Sequence, residues 1–326
     1  MLPASRAAWV RANAAQALGL LGDQAEQAVP ALVAALGDPE SRVAAQAHDA
    51  LRLIGAAAAP ELGHALDSTA QSTAVRESVA GVLQDLGRAA EPAGPALTRA
   101  LNDPSTGVRS LAARALGNFE FTPAIPALTE KLRDPEPRVR ENAAAALAHF
   151  GPRARSAVVE LTAALRDRDE SVRVNAANAL GKIGPAAATA VGALIRNLED
   201  PVPLVRASSA LALGRIGPLA DRAVPVLMDG LEDADSLTRS NCATALGKIG
   251  PQARQAVPAL ARALGNLTLG EKICAAEALG RIGPGAREAI PSLLHASDND
   301  RSGLGRYVAE ALRRISPGSE YGFGEE

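Results

Sequence analysis

Few residues in this 326-residue chain are of a type that does chemistry: four histidines, two cysteines and a set of evenly spaced cations. His48, His64, His149 and His295 stand far apart, and none is followed by Glu; His48-Asp49 is the nearest approach to such a pair. A metal ion needs several donors converging on one point, so no metal site and no cofactor are expected. Cys242 and Cys274 lie in Ala- and Leu-rich stretches that read as helix. They are expected to be small buried residues of a reducing compartment rather than a disulfide or a reactive thiol. Walker-type loops, dinucleotide fingerprints, HExxH and nucleophile elbows are all missing. ALGKIGP and ALGRIGP contain Gly beside Lys or Arg, but they close helices and are not phosphate loops.

The cations are more regular. Lys182, Arg215, Lys248, Arg281 and Arg314 recur every 33 residues. A row of this kind could hold an acidic peptide, a tetrapyrrole's propionates or nucleic-acid phosphates. Each cation also complements the dipole at the end of its helix, worth about 0.3–1 kcal/mol. Both roles remain open on the residues alone.

The elements that position this row are repeats of one stretch, VRVNAANALGKIG, Val172 to Gly184. Its closest copies are Val205–Gly217, Thr238–Gly250 and Glu271–Gly283. The closing residues are Gly22, Gly55, Gly87, Glu120, Gly151, Gly184, Gly217, Gly250, Gly283 and Ser316, in steps of 31 to 33. A fixed period of this length marks a solenoid, whose units bury their apolar faces only against neighbours. The expected class is therefore all-α, a right-handed α-solenoid of about nine to ten two-helix repeats. It is read as one array over 1–315 whose first repeat lacks its first helix, followed by a flexible acidic tail over 316–326.

Composition agrees. Apolar residues make up 47% but aromatics only 2%, so helices must pack through small side chains. A formal net charge of −2 argues against a dedicated nucleic-acid or membrane-surface binder. Neither a run of eighteen apolar residues nor a charged-then-apolar leader is present, so no membrane span or signal peptide is expected and the location is read as cytoplasmic.

Each period holds two helices. VGALIRNL (Val191–Leu198) is a first helix, stopped by Pro201 and Pro203, and the second ends at Gly217-Pro218. With the organising stretch numbered 1 to 13 on a helical wheel, Val172, Ala176, Ala179, Leu180 and Ile183 form one stripe facing the partner helix. Positions 3, 7 and 10 then point away from it, and positions 2, 4, 6 and 11 lie on the flanks, so the cations should run along one rim.

Several segments depart from the pattern. Trp9 and Leu2 are candidates to cover the first helix. Gly55–Val75 reads as a shortened first helix with a lengthened turn at Ser68–Thr73. Asn118–Leu128 loses two residues and brings Phe119 and Phe121 together, with Phe150 a repeat later; local packing or an aromatic contact point would each explain this. Ser297–Gly303 reads as a polar loop.

AVPAL at Ala28–Leu32 and Ala256–Leu260, the Asp-Pro turns and the VR…ALGKIGP stretch resemble HEAT repeats, most closely the HEAT-like units named after phycobilisome lyases. The resemblance covers nearly the whole chain. It implies a ladder of turn Asp and an Arg six residues on: Asp103/Arg109, Asp134/Arg140, Asp167/Arg173, Asp200/Arg206 and Asp233/Arg239. The ladder breaks at Asp38/Ala44, Ala70/Arg76, Asn266/Lys272 and Asn299/Gly305. Family members resembling this chain include adaptors, bilin lyases or isomerases, and a deoxyhypusine hydroxylase branch that holds two irons with repeated His-Glu pairs. The missing pairs reject the hydroxylase, and bilin-lyase-like activity is the only enzyme reading kept.

The outward face of the second helices, expected to be concave, is the candidate binding groove. Its N-terminal half is mixed in character, with Ala12, Gln16, Asp49, Glu77, Arg114 and Glu141. Toward the C-terminus it flattens and loses charge, through Val174, Asn178, Ala207, Leu211, Ser240, Thr244 and Ile273. Apolar residues grouped there and rimmed by charge suit a partner. The expected function is thus a non-catalytic adaptor for a protein or peptide, with the basic rim steering an acidic one. A bilin-handling accessory acting on a bilin-bearing protein is the alternative, and phosphate-backbone binding along the rim the second; nucleic acid is disfavoured by the scarcity of stacking aromatics.

Overall fold

The computed structural model describes residues 4–266, 268–298 and 303–318. Leu2, most of the polar segment after Ser297 and the tail beyond Gly318 lie outside the described residues. The described chain is helical throughout, with no strand, and divides into two compact units, Met1–Phe150 and Gly151–Glu326.

The first unit holds α1 (Ala4–Leu20), α2 (Val29–Ala35), α3 (Ser41–Ile54), α4 (Ala59–Asp67), α5 (Thr73–Leu86), α6 (Gly94–Ala100), α7 (Thr106–Asn118), α8 (Ile125–Lys131) and α9 (Pro137–Phe150). The second holds α10 (Val158–Ala164), α11 (Glu170–Ile183), α12 (Val191–Asn197), α13 (Pro203–Ile216), α14 (Val224–Asp229), α15 (Ser236–Ile249), α16 (Val257–Asn266), α17 (Leu269–Ile282), α18 (Ile290–Asp298) and α19 (Gly305–Ile315). Even-numbered helices are the first helices of each pair and odd-numbered ones the second. Within each unit successive second helices pack on one another, α11 on α13, α13 on α15, α15 on α17 and α17 on α19 in the second unit. This is the α-solenoid arrangement the period predicts.

Local signals set the boundaries. Asp169 caps α11 by accepting from the amides of Ser171 and Val172, 2.9 and 3.2 Å away. Gly184 ends it at φ 75°, ψ −140°, a conformation that excludes a Cβ. The chain then enters a 3₁₀ segment, Gly184–Ala190. The fourth repeat closes on Glu120 at φ 56°, in the left-handed region where other copies place Gly.

The apolar stripe of α11 is buried as the wheel requires: Val172, Ala176, Ala179, Leu180 and Ile183. Position 10 corrects the wheel. Gly181, Gly214, Gly247 and Gly280 are buried, and a Cβ on any of them would lie 2.7–2.9 Å from the Cα of Ala212, Ala245, Ala278 or Ala311 on the next second helix. The glycine of ALG is therefore where two backbones meet. An inner helix has neighbours on three sides, which a wheel drawn for one partner omits.

Other departures also resolve. α4 is nine residues long, longer than the seven-residue α12, and it is the preceding 3₁₀ segment that shrinks, to Gly55–Ala58. Three residues are missing between the closing Gly and the Pro that opens the helix. Phe119 and Phe150 are buried. Phe121 lies on Gly94, where a Cβ would come within 2.7 Å of its ring, and its centroid is 6.1 Å from that of Phe119. The aromatic group is local packing. Trp9 is 55% exposed and so does not cover α1.

The arginine ladder runs forward. Arg206 donates Nε and Nη2 to the carboxylate of Asp233 in the next repeat, at 2.8 Å each, while Nη1 reaches the carbonyl of its own turn's Asp200 at 2.9 Å. Arg173 treats Asp200 and Asp167 the same way, and Arg109 treats Asp134 and Asp103. Pairing forward also supplies partners at two expected breaks, since Asp38 is held by Arg11 and Arg76 by Asp103.

This geometry has a pH consequence. Burial alone would raise Asp134, but hydrogen bonds from Arg109 and the Glu136 amide bring it below the ordinary carboxylate value; the Arg206 hydrogen bond does so for Asp233. A lowered folded pKa gives stability that is fully present above the unfolded value and is lost as pH falls through the folded one. The melting temperature should hold from neutral pH to about 5 and then fall steeply below about 4. Each kcal/mol lost should move the transition by about 2–4 °C for a unit of this size. Circular dichroism melts across this range check it; a flat profile would contradict the ladder.

Candidate protein-binding face

Second helices leave one stripe uncovered. Position 7 and position 11 are one turn apart, and the residue preceding position 1 falls on the same line, two turns before position 7. The shallow groove between α17 and α19 shows the grouping, lined by Glu277 and Arg281 from one helix and Tyr307, Glu310 and Arg314 from the next. The groove between α1 and α3 repeats it with Gln16, Leu20, Asp49 and Leu53. Cations at position 11 therefore share the open face with position 7 rather than forming a separate rim.

Of the expected groove residues, Asn178, Leu211 and Thr244 stand at position 7 on this line, and Val174, Ala207, Ser240 and Ile273 at position 3 beside it. Val174, Asn178, Leu211, Ser240, Thr244 and Ile273 are half-buried. Ala207 is a correction. It is 1% exposed, and its carbonyl accepts from Asn241 Nδ2 at 2.9 Å, so it belongs to the contact between α13 and α15. Ala12 is buried in the same way in α1. Position 3 borders the neighbouring second helix, and a short side chain there is covered.

Two leucines escaped the sequence reading. Leu204 and Leu237 are 53% and 49% exposed at the start of α13 and α15, seven residues before Leu211 and Thr244. Numbering the repeat from Val205 and Thr238 put them just outside the wheel, although their spacing of 33 was visible. With Leu211 they form the apolar end of the open face.

The cations form its other end. Lys182, Arg215, Arg281 and Arg314 are exposed and Lys248 is half-buried. Arg281 lies 3.6 Å from Glu277, and Arg314 Nε donates to Glu310 at 2.8 Å. Burial, then the charges of Arg215 and Arg281, lower the pKa of Lys248. At the same position the first unit carries Leu20, Leu53, Asp85, Asn118 and His149, with Leu20 77% exposed. One structural position thus changes from apolar to polar to basic along the sequence.

The remaining chemical residues are apart from this face or structurally engaged. Burial pushes the Cys242 thiol up to about 12, far from a reactive thiolate, and both cysteines are free. His48 Nε2 pairs with Asp85 at 3.0 Å and His64 Nδ1 lies 3.6 Å from Glu61. Among the described residues no three His, Cys, Asp or Glu side chains gather as a metal site. Nor is any described helix long and apolar enough to cross a membrane.

The family model for HEAT repeats matches residues 2–84, 94–162, 125–213, 158–236, 193–267 and 224–313. An engineered protein resembles the structure with a TM-score of 0.65 at 24% identity, over 94% of this chain and 95% of that one. Yeast importin-β (Kap95p) does so with a TM-score of 0.64 at 16% identity, over 90% of this chain but only 45% of its own length. The CpcE–CpcF complex of phycocyanin lyase from a Nostoc species matches over 68% of this chain and 94% of that one, at 25% identity and a TM-score of 0.46. Compared by sequence with curated proteins, the chain matches none.

Proposed function

The chain belongs to the HEAT-repeat family, and on that premise we propose that it is a non-catalytic adaptor holding a protein or peptide on the open face of its second helices. One observation carries the reading: Leu204, Leu211 and Leu237 gather on the face of α13 and α15 that ends in Arg215 and Lys248. Exposed apolar side chains grouped beside charge are the anatomy of a partner surface. The leucines have no packing duty that explains their exposure. A fold shared by many functions cannot choose among them, so the face must. Two free cysteines fit the cytoplasmic location expected of such an adaptor.

Leu211→Glu tests the face. The side chain is half-buried, so the substitution should cost at most about 1 kcal/mol of stability while removing an apolar anchor worth about 2 kcal/mol or more of binding. Affinity capture from a lysate of the source organism, compared for the two forms by mass spectrometry, should show a partner held by the first and lost by the second. A melting temperature that falls together with capture would place Leu211 in the core and remove it from the site.

A further inference from the structure

Lys182, Arg215 and Lys248 occupy the same position on α11, α13 and α15, and among the described residues none of the three has a carboxylate partner. The contrast is with the other cations of these helices and with the same position on α17 and α19. Arg173, Arg206 and Arg239 on the same helices each hold a carboxylate, and Arg281 and Arg314 have Glu277 and Glu310 beside them. Position 11 thus has a carboxylate beside it on α17 and α19 and none on three successive helices before them. Lys248 is half-buried, and its burial first and the charges of Arg215 and Arg281 second disfavour its ammonium. An external anion would relieve it.

Resting on the adaptor reading above, we propose that this row selects an acidic linear segment of a partner protein, laid across α11, α13 and α15 in polyproline II conformation with one carboxylate for each repeat. Neighbouring packed helices stand about 8–10 Å apart, and close glycine contacts at Gly181 and Gly214 hold these at short range. A polyproline II chain rises about 3.1 Å per residue with three residues per turn, so every third side chain returns to one side after about 9.3 Å. A β-strand returns a side chain after about 6.6–6.8 Å, too short a step. An α-helix would need acids seven apart, about 10.5 Å, beyond the range. Residues between the carboxylates would then meet Leu211 and Thr244, about 6 Å along each helix from the cations.

Nucleic acid offers the same charge but fits less well. Helices α11, α13 and α15 carry no aromatic residue on which bases could stack. An acidic peptide also uses Leu211, which phosphates would leave idle.

The test is fluorescence anisotropy with labelled peptides of equal composition, one built of Glu-Pro-Pro repeats and one with all its Glu residues gathered at one end. The phased peptide should bind at least about tenfold more tightly, and the preference should weaken with added salt. Lys182→Glu/Arg215→Glu/Lys248→Glu should lower its affinity by about a hundredfold, roughly tenfold or less for each contact removed. If that variant misfolds by circular dichroism, the corresponding Gln triple replaces it, with a loss in the same direction. Equal binding of the two peptides, or undiminished binding by the triple variant, would overturn the proposal. So would an oligothymidylate that binds more tightly than either peptide and is lost with the same three cations. If Leu211→Glu still loses a captured protein while the triple variant keeps it, the adaptor reading stands and only the acidic segment falls.

Discussion

Gly214→Val is expected to destabilise the second unit by about 3 kcal/mol, the upper part of the range for overpacking a tight interior. The added Cβ would stand 2.8 Å from the Cα and 3.1 Å from the Cβ of Ala245. The nearest obstacle is backbone, so no rotamer change relieves it and α13 and α15 must separate. In a stacked array the interface between repeats carries much of the stability. Gly214→Ala makes the sign of the argument visible. In an isolated helix it would stabilise by about 0.8–1 kcal/mol; here it should destabilise, because the same Cβ is added. Gly192→Ala is the control, since a Cβ there meets nothing within 4 Å, and it should be neutral or mildly stabilising. Thermal melts of the three variants decide. A Gly214→Ala protein as stable as its parent would mean that the helices are not in close contact.

The second large effect is expected at Glu271, where the other repeats have Val, Thr or Leu. The position faces the core, and Glu271 is only 3% exposed. Its carboxylate accepts from Arg239 Nε at 2.7 Å and from the amide and hydroxyl of Thr268 at 2.8 and 2.6 Å. One side chain thus closes the capping box of α17 and receives the arginine for which the sequence offers no Asp at 266. Glu271→Val, though it installs the commoner residue, should cost about 3 kcal/mol, because it leaves a guanidinium and a helix start without their acceptor. Arg239→Met added to it should recover much of that loss, since replacing both members of a buried pair by apolar groups is far milder than removing one. A double-mutant cycle with a coupling near zero would show that the pair contributes little.

Glu271 also illustrates what could be read in advance. The loss of Asp at 266 and the arrival of Glu at a core position were both visible five residues apart. Connecting them required knowing that Arg239 reaches forward. The 33-residue period leaves that direction open, because an Arg and an Asp six apart within one repeat recur just as regularly as the same Arg and the next repeat's Asp. Helix pairs, their caps and the buried stripe were legible because each rests on local composition and spacing. Gly214 and Ala207 were misplaced on the open face because the wheel assumed a single neighbour, whereas a second helix is flanked by two more like itself. The candidate face was legible in part. Position 7 and the cations were identified, but their union on one stripe depends on which side the neighbours leave free.

The forward reach of the arginines gives the molecule a temporal order as well as a spatial one. Arg11, Arg76, Arg109, Arg173, Arg206 and Arg239 find their carboxylates 25 to 32 residues downstream. During synthesis the amino-terminal end emerges first, so each arginine must wait for the following turn to leave the ribosome before its pair can close. Where the ladder runs, the nascent chain would therefore be fastened one repeat behind the point of growth, with its newest ladder arginine still unpaired.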